Sequence, residues 1–250
     1  MSLPFLTLIL LLQSTIIITS AAAKPLMHIC SQTPNATFTR NSTYERNLRQ
    51  LMGQLYYQTP PTGFTNATIT GQQQSSPDQT TYGLANCRGD STPSHCQACI
   101  VEAITTVHKT CPYSKEAIIW LDNCYLKYSS VRFFGRVDVR NKFHMVNVKN
   151  ASGDIAPGFD GIRQRLMVNL AGEAAGDPAR FYAAGQVEIP GSVRIYGLVQ
   201  CGRDLSGRDC RRCADGLVGE LPRFSDGKVG GRVVSGSCSV RFETYPFFRA

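Results

Sequence analysis

The sequence predicts an α+β protein of two tandem disulfide-stabilised domains, each with two helices packed on an antiparallel sheet. Three observations carry this. A cysteine ruler occurs twice, as YGLANC ending at Cys87 with Cys96 and Cys99 behind it, and as YGLVQC ending at Cys201 with Cys210 and Cys213 behind it. An amphipathic helical pattern occurs ahead of each ruler, and each copy closes on a run rich in β-branched and aromatic residues. A chain of 250 residues with such a repeat fits two domains of a little over a hundred residues each.

The elements follow in chain order. Residues 1–23 form an apolar run that ends in small residues before Lys24, which reads as a secretory signal peptide and predicts an exported, extracellular protein. Domain 1 is expected over 24–135. Its first helix lies in STYERNLRQLMGQLYYQ, where Leu48, Leu51, Met52 and Leu55 recur at helical spacing behind a Ser/Thr start. A second helix is expected from the Cys96-x-x-Cys99 pair to Cys111, and strands in AIIWLDNCYLKYSSVRFF. A linker over 136–143 is short enough to hold the domains side by side. Domain 2, over 144–250, repeats the first helix with Ile162, Leu166, Met167 and Leu170. It repeats the second from Cys210, with an expected break at Pro222 because proline lacks the N–H that the helix interior requires. KVGGRVVSGSCSVRFETYPFF supplies the last strands.

All ten cysteines lie beyond the signal peptide. Cys87, Cys96, Cys99 and Cys124 each have a counterpart 114 positions on, at Cys201, Cys210, Cys213 and Cys238. Cys111 maps onto Ser225, and Cys30 has its nearest counterpart in Val146. A zinc site would need a second ligand pair, and His28, His95, His108 and His144 form no such cluster; a redox pair would need a thioredoxin-like context. An even cysteine count per copy in an exported chain reads instead as a disulfide framework. Two losses in one copy leave no orphan thiol when the lost residues were partners, which argues for a Cys30–Cys111 bridge. The four shared cysteines still allow three connectivities. Copy two, one bridge poorer, is expected to regain stability by packing on copy one.

Net charge is +8, with 11 basic and 7 acidic side chains over 24–140 and 15 and 11 over 141–250. Both signs are interspersed, and no Lys/Arg run with interleaved aromatics points to nucleic acid. No later run approaches the length of a membrane span. Four sequons, at Asn35, Asn41, Asn66 and Asn150, fit a glycosylated exported chain. Nucleophile elbows, metal clusters and phosphate loops are missing, so neither an enzyme nor a cofactor is expected. His28 and His144 recur at matching places, which duplication explains.

The spacing Cys-x8-Cys-x2-Cys-x11-Cys-x12-Cys from Cys87 to Cys124 resembles the ginkbilobin-like domain of land plants. Two copies behind a signal peptide are similar to the plant cysteine-rich repeat secretory proteins. The resemblance implies bridges Cys30–Cys111, Cys87–Cys96, Cys99–Cys124, Cys201–Cys210 and Cys213–Cys238. It also implies a mannose site in some members, built from an Asn after the first cysteine, an Arg six residues before the last and a Glu five residues after it. In copy one these positions hold Ser31, Ile118 and Ser129, and none matches. In copy two they hold Asn147, Arg232 and Glu243, and all three match, although Val146 stands where the anchoring cysteine would be. Arg donors, a Glu acceptor and an Asn that does both suit vicinal sugar hydroxyls. Two functions follow as expectations. One is a secreted mannose-type lectin of plant defence or stress, antifungal through mannan-type glycans, with its site in domain 2. The other is a non-catalytic apoplastic module that binds a protein or receptor in stress or developmental signalling.

Overall fold

The computed structural model describes residues 25–31, 36–71, 79–150, 158–189 and 193–249. The signal peptide and Asn35 lie outside them. Domain 1 runs β1 (Met27–Cys30), α1 (Thr43–Thr62), β2 (Phe64–Ile69), β3 (Thr81–Cys87), α2 (Pro93–Thr110), β4 (Ala117–Trp120) and β5 (Cys124–Ser129). Domain 2 repeats the order as β6 (Lys142–Val146), α3 (Phe159–Gly176), β7 (Tyr182–Glu188), β8 (Arg194–Cys201), α4 (Gly207–Ser225), β9 (Gly230–Ser235) and β10 (Cys238–Glu243). The sheets are antiparallel, in the orders β1-β4-β5-β3-β2 and β6-β9-β10-β8-β7.

The ruler has a simple physical meaning. Cys87 and Cys124 are register partners on β3 and β5, while Cys96 and Cys99 lie three apart on one face of α2. The bridges Cys87–Cys96 and Cys99–Cys124 therefore staple one helix face to two adjacent strands. Domain 2 does the same with Cys201–Cys210 and Cys213–Cys238, whose strand members Cys201 and Cys238 are again register partners. Cys30–Cys111 ties β1 to the end of α2, at a Cα–Cα distance of 5.4 Å. The helix that carries each pair is capped in the same way: Thr92 Oγ1 accepts from His95 N–H and Ser206 Oγ from Asp209 N–H.

Two of the sequence expectations change. The helix with the pair starts at Pro93, ahead of Cys96, because Thr92 caps it with proline in the first turn. And α4 does not break at Pro222 but runs on to Ser225. Leu217, Val218 and Leu221 are all buried under this turn, and Ser225 Oγ donates to the Leu221 carbonyl at 2.7 Å. Packing on one face outweighs one lost backbone bond. The Tyr-Gly-Leu runs are β3 and β8, buried along most of their length.

Each sheet buries one face under its helices. Ile119 and Leu126 join Leu51, Leu55 and Ile100 in the first core; Val233, Val240 and Phe242 join Met167, Leu170 and Leu217 in the second. The opposite faces meet each other. Ile118 and Trp120 of β4 pack with Phe143 of β6 and Val234 of β9, the Trp120 and Phe143 rings 5.3 Å apart and edge-on. Trp120 Nε1 donates to the Ser235 carbonyl at 3.1 Å. The layers thus run helices, sheet, sheet, helices.

Where the third bridge is missing, domain 2 buries Arg163, which is 1% exposed. Its Nη1 donates to the Ser225 carbonyl at 3.4 Å and sits 2.6 Å from Asp160 Oδ1, and its guanidinium lies over the Phe242 ring at 4.9 Å. Burial holds its pKa below the usual arginine value, with Asp160 and Asp226 opposing that shift. Arg163 thus ties α3 to the end of α4, beside the position that Cys111 occupies in domain 1.

Candidate functional site at the domain interface

Strand register places the three matched residues of domain 2. Cys30 pairs with Ala117 and Val146 with Gly231, so β6 is the counterpart of β1, and Asn147 follows it as Ser31 follows β1. Ser31 N–H donates to the Glu116 carbonyl and Asn147 N–H to the Gly230 carbonyl, each at 3.0 Å. Arg232 lies on β9 opposite Arg241 of β10, and Glu243 lies opposite Gly230. All of these side chains are on the face turned away from the helices. A Cβ on Gly230 would overlap the Glu243 carboxylate, so glycine there lets that side chain lie flat across the sheet.

Asn147 Nδ2 donates to Glu243 Oε2 at 3.4 Å, and Arg241 Nε donates to Glu243 Oε1 at 3.1 Å. Glu243 is 7% exposed. Arg232 turns the other way. Its Nη2 donates to Asp122 Oδ1 of domain 1 at 2.7 Å, and only 13% of its side chain is exposed. Asp122 sits in the turn between β4 and β5 and also receives Arg241 Nη1 at 3.4 Å and Arg88 Nη1 at 3.5 Å. Burial alone would raise the Asp122 pKa; Arg232, Arg241 and Arg88 outweigh it and hold the carboxyl below its usual value. For Arg232, burial and the neighbouring Arg241 lower the pKa against the pull of Asp122.

The seam continues in both directions. Arg88 forks onto Asp90 at 2.6 and 3.0 Å, and Arg249 N–H donates to Asp90 Oδ2 at 2.8 Å, so the end of domain 2 folds back onto domain 1. Gln200 Nε2 donates to the Cys87 carbonyl at 2.8 Å while its Oε1 accepts from Gly89 N–H at 3.3 Å. Asp138 holds Lys127 at 2.5 Å and donates its N–H to Ser237 Oγ at 2.8 Å. Between the domains the sheets leave a cavity of about 70 Å³ lined by Trp120, Asp122, Tyr125, Gln200, Arg232 and Arg241. Pockets that hold small ligands usually measure about 300–1,000 Å³. Asn147 and Glu243 do not line this one.

Asn147 and Glu243 therefore come together, and Arg232 stands one strand away with its Nη2 engaged across the seam. Sequence reasoning missed Asp122, Arg241 and Arg88. No motif marks them, because Asp122 and Arg232 are 110 positions apart and only the docked domains make them neighbours. Of the sequons, Asn41, Asn66 and Asn150 are exposed. His28 and His144 are exposed on β1 and β6, with His144 stacked on Phe224 at 3.9 Å. Among the described residues no group of His, Cys, Asp and Glu could hold a metal ion, and no helix is long and apolar enough to cross a membrane.

The salt stress response/antifungal family model matches residues 29–131 and 148–245, once per domain. The chain is 43% identical over 228 residues to an antimicrobial ginkbilobin-2-like protein of Castanea crenata, covering 91% of this chain and 90% of that one. It is 44% identical over 225 residues to cysteine-rich repeat secretory protein 38 of Arabidopsis thaliana, covering 90% and 86%. Its fold is similar to the tandem DUF26 ectodomain of the Arabidopsis thaliana cysteine-rich receptor-like protein PDLP8, with a TM-score of 0.73 at 22% identity over 89% of this chain and 98% of that one. The PDLP5 ectodomain gives 0.71 at 24% identity over 89% and 100%. With a repeat, five disulfides and two matched domains, this chain belongs to the secreted, cysteine-rich salt stress response/antifungal family.

Proposed function

We propose that the chain is a non-catalytic extracellular recognition protein of the stress and antifungal response, and that its two domains present one rigid protein-binding body. In this reading the residues that match the sugar pattern serve the seam. The observation that carries it is Arg232, held at 2.7 Å by Asp122 of the other domain beside a cavity of about 70 Å³. A sugar ring would have to displace a charge-assisted bond across the seam before it met that arginine.

The second reading is a mannose-type lectin at domain 2. It is favoured by the approach of Asn147 to Glu243 at 3.4 Å and by the donors of Arg232 that Asp122 leaves unused. Retention of the oxidised protein on immobilised yeast mannan, with free mannose as competitor, separates the two. The expected result is no mannose-competable retention. Competable retention that disappears in the Arg232→Ala, Glu243→Ala double variant would establish the lectin reading instead.

A further inference from the structure

The positions in domain 1 that correspond to the triad do not match the sugar pattern, yet they line a pocket of about 420 Å³. Ser31, Ile118 and Ser129 all face it. In domain 2 the corresponding place is filled, because the Glu243 carboxylate lies across Gly230 and is closed in by Asn147 and Arg241. Domain 1 exchanges these roles. Strand β5 carries Ser129 where β10 carries Glu243, and Glu116 stands where domain 2 has Gly230. A carboxylate is thus kept in the same region, supplied from the neighbouring chain segment: Glu116 Oε1 accepts from Ser129 Oγ at 2.8 Å.

The far wall is the segment between the domains. Lys127 binds Asp138, and its Nζ lies over the Phe133 ring at 4.8 Å, so the segment is pinned at both points. Domain 2 has the parallel contact, Arg241 over Phe247 at 4.1 Å. The pinned segment brings Arg132 and Arg136 to the pocket. Both are exposed, and neither guanidinium has a carboxylate partner among the described residues. The wall therefore offers two cations without a carboxylate partner among the described residues, one carboxylate and an apolar patch at Ile118.

We propose that this pocket binds an acidic oligosaccharide made of uronic acids. Charge complementarity commits it to that class. The lysine is neutralised by Asp138, so Arg132 and Arg136 leave a positive excess over Glu116, suited to a sugar carboxylate in bidentate contact. Glu116 suits the ring hydroxyls, and the volume lies within the usual range of small-ligand pockets. The proposal does not depend on the domain 2 triad.

Calorimetric titration of the full oxidised chain with a galacturonic acid trimer, and separately with a neutral mannose trimer, tests it. Saturable binding of the acidic trimer is expected, weakening as salt is raised. The Arg132→Ala, Arg136→Ala double variant should lose at least about tenfold in affinity, because it removes both charge-assisted contacts. The Glu243→Ala variant should bind like the parent. Trp120 emission checks that each variant is folded. Absence of saturable binding by folded parent protein, equal binding of the neutral trimer, or affinity unchanged in the double arginine variant would each overturn the proposal.

Discussion

Trp120→Ala is expected to cost about 3–5 kcal/mol, the usual range for truncating a buried tryptophan. Trp120 is 2% exposed, and its ring fills the centre of the patch where the two sheets meet. The variant also leaves the Ser235 carbonyl without its donor and Phe143 without its edge-on partner. Both domains keep their own cores and bridges, so the loss should fall on the seam. Denaturation followed by circular dichroism should show an earlier onset and a split transition, each domain melting by itself. A loss below about 1 kcal/mol, or a transition that stays single, would mean that Trp120 is not what couples the domains.

The double variant Val146→Cys, Ser225→Cys is expected to form a sixth disulfide and stabilise the chain by about 2–4 kcal/mol, the common range for a bridge. Val146 pairs with Gly231 as Cys30 pairs with Ala117, and Ser225 ends α4 where Cys111 follows α2. Ser225 is already buried, with its Cβ against the Gly231 position. The new bridge must share space with Arg163, which donates to the Ser225 carbonyl. Free-thiol titration before and after reduction reports bridge formation, and the shift in denaturation midpoint reports its effect. Two free thiols in the oxidised variant would show that Arg163 has reshaped the site beyond what a bridge accepts.

Much of the fold could be read from the chain because it is written in local periodicity and in a repeat. Leu48, Leu51, Met52 and Leu55 mark α1 by spacing alone, and all four are buried. The paired loss of Cys30 and Cys111 in copy two pointed to their bridge, which is present. Two features resisted for physical reasons. Pro222 breaks helices as a residue but sits in a turn whose other face is packed, so tertiary burial decided the outcome. The Tyr-Gly-Leu strands are buried on both faces, one under helices and one toward the other domain, and so lack the alternation that marks a half-buried strand.

The candidate site was half legible. Asn147, Arg232 and Glu243 are picked out by the resemblance to the family's sugar pattern, and strand pairing brings Asn147 to Glu243. A direct pairing of Arg232 with Glu243 across neighbouring strands is the plain local expectation. Instead Arg241 takes Glu243 on the same strand, and Arg232 crosses to Asp122. A chain read one domain at a time carries no sign of that exchange, because its cause is the docking of one sheet on the other. The exchange of Glu116 for Ser129 in domain 1 was hidden in the same way, since a pattern tied to fixed positions cannot follow a carboxylate that moves to the segment just ahead of β4.

The two domains form one body, joined through the sheet faces that carry the matched residues. The chain has a single tryptophan, and it lies in that seam, so its emission reports the seam alone. The decisive measurement is denaturant unfolding of the oxidised protein, followed by Trp120 emission and quenching together with far-ultraviolet circular dichroism. Coincident curves are expected, with Trp120 protected until the helices melt. Trp120 exposed to quencher while helical signal is fully retained would contradict this and leave two domains that merely touch.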